Sequence, residues 1–206
     1  MALLGSTTTV AAQAGRKLNN SLTLEFKTSP TDTLATAVQK GTVGTLLGFR
    51  NGGAATYAVT GTGGELAVRC ATERTTVADG SGASLGWIEK DHVGDGVVSR
   101  ADGTALARVV GHPAGDRKDA TWPYGLLDGS GAPLGTLTWM RTAATFDLAG
   151  EVFDAAIWWD RAGAPLKVPS LGAHLALDHP VDAVTGDLLL ALCVDVSLGS
   201  HSFLRA

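Results

Sequence analysis

Asp178-His179-Pro180-Val181-Asp182, then Leu188-Leu189-Leu190-Ala191-Leu192-Cys193-Val194, then Asp195, Val196, Leu198 and Gly199: this run closes a 206-residue chain otherwise patterned for strands. Proline suits a first helical turn, and Asp suits a cap at the positive end of the helix dipole. Gly199 is a natural stop. The segment predicts a helix over about 181–198, roughly 27 Å long at 1.5 Å per residue. Its second half is apolar on every face, so the helix is expected to be surrounded by protein. Asp195 sits inside that apolar half. Burying an ionised carboxylate is costly unless it is paired, so a partner is expected, either an Arg or backbone N–H groups of the wall.

What surrounds the helix is legible in a repeated unit. It reads Asp79-Gly80-Ser81-Gly82-Ala83-Ser84-Leu85, Arg100-Ala101-Asp102-Gly103-Thr104-Ala105-Leu106, Asp128-Gly129-Ser130-Gly131-Ala132-Pro133-Leu134 and Asp160-Arg161-Ala162-Gly163-Ala164-Pro165-Leu166. A fainter copy is Thr60-Gly61-Thr62-Gly63-Gly64-Glu65-Leu66. Asp caps a turn, Gly takes the positive-φ position and Leu re-enters a strand, which describes a β-hairpin tip. The copies spread apart along the chain, whereas a propeller or solenoid would hold one period. Alternating stretches such as 21–26, 66–68, 85–88, 106–110 and 134–139 read as strands. Residues 31–40 fit either a short helix or a strand. An antiparallel sheet of about ten or more strands tends to curl or close, which removes its exposed edges. The expected fold is mainly β: a closed or nearly closed antiparallel barrel around a C-terminal helix. Residues 1–20, small and polar, are expected to be a flexible arm, and 21–206 one domain.

Composition narrows the function classes. Apolar residues make up 45% and charged residues 17%, with 27 glycines, which suits a turn-rich β protein and not a disordered one. A net charge of −4 argues against nucleic-acid binding, which wants a dense basic face. Cys70 and Cys193 do not make a disulfide framework. No signal-peptide pattern stands at the start, and the longest apolar run, Leu188–Val194, is far short of the roughly 20 residues of a membrane span. The expectation is a cytoplasmic protein without a membrane span.

Hairpin units in tandem before the acidic-Pro-acidic lead Asp178-His179-Pro180-Val181-Asp182 and an apolar helix with one internal Asp resemble the tubby-like superfamily. The closer likeness is to its phospholipid scramblase and LURP-one-related branch, over about residues 40–204. That resemblance implies a twelve-stranded barrel around a central hydrophobic helix, and a non-enzymatic binding role toward a phospholipid headgroup or a protein partner. The chain departs from the branch in lacking a Pro-rich arm, a cysteine cluster for palmitoylation and the closely spaced acids of a calcium loop.

The residues offer few catalytic groupings. Asp178, His179, Asp182 and Asp187 are close in sequence, but their spacing matches no EF-hand or His-Glu-x-x-His pattern, and helix capping accounts for them. Asp91, His92 and Asp95 form a looser group of the same kind. Cys70 and Cys193 read as core thiols. Ser81 and Ser130 are turn residues outside any nucleophile elbow. Gly61–Gly64 has no following Lys-Ser/Thr and is read as a tip. No catalytic residue, metal or cofactor is expected, and the chain is read as not an enzyme. Lipid-headgroup binding needs converging cations; Arg117 and Lys118 are the basic pair chosen for it, with Lys90, Arg100 and Arg108 joining only if the barrel gathers them. Trp158 and Trp159 point to opposite faces of a strand, so Trp159 is the candidate exposed anchor. The alternative reading is an assembly protein acting through barrel-surface oligomer contacts and the N-terminal arm.

Overall fold

Period-two alternation of side chains builds the wall of the molecule. A computed structural model describes residues 2–16, 22–29, 31–40, 54–90, 95–111, 121–141, 145–148, 151–154 and 171–198. The strands begin with β1 (Thr9–Arg16), β2 (Leu22–Lys27), β3 (Thr33–Lys40), β4 (Ala55–Gly61) and β5 (Gly64–Cys70). They continue with β6 (Arg74–Asp79), β7 (Ser84–Lys90), β8 (Gly96–Arg100), β9 (Ala105–Gly111), β10 (Thr121–Asp128) and β11 (Pro133–Arg141). A short hairpin, β12 (Thr145–Leu148) and β13 (Glu151–Asp154), precedes β14 (Leu171–Leu177) and the helix α1 (Ala183–Leu198).

Twelve strands close an antiparallel barrel in the order β1-β14-β11-β10-β9-β8-β7-β6-β5-β4-β3-β2, while β12 and β13 form a separate two-stranded sheet. The seam joins the first strand to the last, with Thr9 opposite Ala176 and Gln13 opposite Gly172. Eight strands give a barrel that its own side chains fill; the diameter grows with strand number, so twelve leave a lumen. The helix occupies it. Leu188 through Val194 are all fully buried, and α1 lies against β1, β2, β5, β6, β7, β8, β11 and β14. The expected helix bounds shift by two residues: Asp182 is the cap and Ala183 the first helical residue.

Two sequence expectations change. Residues 9–16 are not part of a free arm but a wall strand paired on both sides. Its small residues carry little strand propensity, yet small is what the position requires, because α1 packs most closely on β14, β7 and β1. These carry the inward residues Ala173, Gly86 and Ala12. At Gly86, φ is +157° and a Cβ would stand 2.0 Å from the Ser99 carbonyl oxygen and 3.1 Å from Leu188 Cδ1. Ahead of β1, Leu3 and Leu4 are buried against the start of the helix, where Leu4 Cβ lies 3.0 Å from the position a Cβ on Gly186 would take. Second, the ambiguous 31–40 segment is β3, with Ala35, Ala37 and Gln39 turned inward in strict alternation.

Candidate functional site

Antiparallel order sorts the connections between two barrel ends. One end carries the tight turns 28–32, 62–63, 80–83, 101–104 and 129–132, together with the start of α1. The strands flanking the longest connections, 41–54, 112–120 and 142–170, stop and restart at the opposite end, toward which α1 runs.

The tight-turn end is a set of capped, self-satisfied turns. In the 79–83 turn the Asp79 carboxylate accepts from the Ser81 and Ala83 amides (2.9 and 3.0 Å) and from the Ser81 hydroxyl (2.6 Å). Asp128 repeats this with Ser130 and Ala132, and Asp102 accepts from the Thr104 amide. Gly82, Gly103 and Gly131 hold φ of 87°, 89° and 89°, the positive-φ role read from the repeat. The 160–166 copy lies outside the described residues. Asp182 caps α1 through the Val184 and Thr185 amides and the Thr185 hydroxyl, and Arg100 pairs with it at 2.9 Å. The buried Asp187 carboxylate accepts the Leu3 amide at 2.7 Å, pinning the first residues across the helix start. Each of these carboxylates has a structural task.

These carboxyls split in their response to pH. Hydrogen bonds from Ser81, Thr104 and Ser130 hold Asp79, Asp102 and Asp128 below their ordinary value of 3.8. Desolvation pushes Asp182 up, but Thr185, Arg100 and Val184 outweigh it and hold it low. Desolvation raises Asp187. A depressed carboxyl stabilises the fold above its unfolded value and loses that contribution as pH falls through the folded value; a raised one does the reverse. Melting temperature is therefore expected to rise slightly as pH falls from 7 toward about 4 and to drop below it. Asp187→Asn, which keeps the acceptor for Leu3, should reduce the rise; a rise unchanged in that variant would contradict the assignment. Thermal scans across pH measure this.

At the other end, the last turns of α1 meet a buried polar cluster. Asp195 Oδ1 accepts from Lys90 Nζ at 2.7 Å and from Thr75 Oγ1 at 2.9 Å. Lys90 also donates to the Ala71 carbonyl at 2.9 Å. The Lys90 side chain is 5% exposed and that of Asp195 0%. Desolvation raises the Asp195 carboxyl, and Lys90, Thr75 and Cys70 oppose the rise. Burial pushes the Cys70 thiol and the Tyr57 hydroxyl up as well, so both stay protonated. The expected partner of Asp195 exists, but it is a lysine, not an arginine or backbone amides. The cue was parity: Gly86, Ile88 and Lys90 alternate on one strand, so Lys90 shares the inward face with Ile88.

The basic residues considered together do not converge. Lys90 points into the barrel, Arg100 sits at the tight-turn end with Asp182, and Arg108 is exposed on the outer wall. Arg117, Lys118 and Trp159 lie outside the described residues, as do Asp91 and His92. Asp95 accepts the Gly111 amide at 2.8 Å and ties β8 to β9. Cys193 is buried in the lumen and its thiol is pushed up to about 12 by desolvation. A feature not foreseen is Trp87 on the outer wall, with the Arg74 guanidinium 5.1 Å from its ring centre and Glu89 paired to Arg74. Among the described residues no three His, Cys, Asp or Glu side chains gather as a metal site. Nor is any helix among them long and apolar enough to cross a membrane. A scan against protein-family models and searches of curated proteins and of solved structures return no match.

Proposed function

We propose that this chain is a non-enzymatic binding module of the tubby and LURP-one-like type, that its recognition surface is the barrel end bearing the long connections, and that its ligand is an anionic phospholipid headgroup. One observation carries the reading: the long connections 41–54, 112–120 and 142–170 all open at one end, which they share with the short 71–73 turn, while the Asp-capped turns lie at the other. Long loops on a rigid scaffold are where binding residues concentrate. The lumen is taken by α1, whose residues Leu188–Val194 are fully buried. A ligand is therefore held outside the barrel. The segment holding Arg117 and Lys118 connects β9 to β10, and that holding Trp159 precedes β14; these flanking strand ends belong to the same barrel end.

Sedimentation with vesicles tests it. Vesicles containing phosphatidylserine or phosphoinositide at low salt should pull the protein down, and neutral phosphatidylcholine vesicles should not. Each basic residue near an anionic surface is worth about 1 kcal/mol, so Arg117→Ala/Lys118→Ala should weaken binding roughly thirtyfold. Protein that stays in the supernatant with anionic vesicles at low salt removes the lipid reading. The assembly alternative rests on barrel-surface contacts. Residues 2–16 plug and wall the barrel, so deleting them opens the fold instead of removing a detachable arm.

A further inference from the structure

The Lys90–Asp195 contact is an ion pair with both side chains shut away from water. Two charges shut away from water are stabilised only by good geometry and full hydrogen bonding. Here the bonding is incomplete: Asp195 Oδ2 is buried with no hydrogen-bond partner among the described residues. Lys90 Nζ lies 2.7 Å from Oδ1, in direct contact with the carboxyl group it would attack.

We infer that Lys90 and Asp195 condense into an intramolecular amide, a covalent cross-link between β7 and the last turns of α1. The Lys90 ammonium first gives a proton to the Asp195 carboxylate, which carries it on Oδ2; the freed ε-amine attacks the carboxyl carbon, the N–C bond forms and the bond from that carbon to Oδ2 breaks. Oδ2 keeps the proton of the acid, takes one from the amine and leaves as water. No oxidant, reductant or cofactor enters. The Thr75 hydroxyl and the Cys70 thiol lie beside the carboxyl and can relay the proton. The polar groups already in place match the product. Its carbonyl oxygen, the former Oδ1, keeps the Thr75 donor, and its N–H keeps the Ala71 carbonyl as acceptor. The atom expelled is the one without a partner. Condensation removes two buried charges and one orphaned oxygen together.

Mass spectrometry of the intact, denatured full chain decides. The expected mass is that of the sequence less one water, with a branched peptide joining the segment of Lys90 to that of Asp195 after digestion. Asp195→Asn should condense with loss of ammonia, and Lys90→Arg should show its full sequence mass. Folded wild-type protein that keeps its full mass after prolonged incubation at neutral pH overturns the inference. A water loss that maps instead to Asp79-Gly80, Asp102-Gly103 or Asp128-Gly129, which can cyclise to succinimides, overturns it as well.

Discussion

Lys90→Met lowers the stability of the barrel by about 3–5 kcal/mol, because it removes the Lys90–Asp195 link, ionic or covalent, and leaves the Asp195 carboxyl buried without it. For a chain of this size that corresponds to a fall in melting temperature of about 6–20 °C. The loss is large because water cannot substitute: Asp195 is fully buried, and Thr75 and Cys70 are neutral. Adding Asp195→Leu to the same chain should recover part of the loss by replacing the stranded acid with apolar contact. Chemical and thermal denaturation of the single and double variants measure the difference. An unchanged melting temperature for Lys90→Met would show that this contact does not hold the helix in the lumen.

Leu188→Ala is the second large effect, about 2–5 kcal/mol. Leu188 is fully buried and faces Gly86, where no side chain can swing in to fill the space left. The wall cannot close on the cavity either, since β7 at this point is held between β6 and β8. Denaturant titration should show a lower midpoint with an unchanged slope, the signature of lost packing in an otherwise intact fold. A loss below about 1 kcal/mol would mean that the helix shifts within the barrel to refill the site.

The fold was legible because its two signals are local. A capped Asp–Gly turn announces a hairpin wherever it stands, and an all-round apolar helix announces a surrounding wall. What escaped the sequence depends on close packing between distant elements. The strand 9–16 looked like a polar arm because Ala and Gly say little about strands until the helix that demands small neighbours is in place. A lysine on a strand is ordinarily exposed, so Lys90 reads as a surface cation; only its parity with Ile88 points inward. Asp195 could be read as needing a partner, but the identity of that partner rests on the register of β5, β6 and β7, which no single segment encodes. The candidate surface is harder still. Arg117, Lys118 and Trp159 belong to connections without a regular period, where sequence carries composition and not geometry.

The seam between β1 and β14 has a bearing on how the chain reaches this state. β1 pairs with β14, so the ring is completed only after residue 177 has been made. Until then β1 and β11 present unpaired edges, and the lumen-facing side chains have no helix to cover them. Pairings so distant in sequence make folding slow and expose sticky intermediates. The helix follows β14 directly, so ring closure and capture of the helix belong to one late event. A ribosome-bound chain truncated before residue 171 should accordingly depend on chaperones for solubility, and the released full-length protein should not.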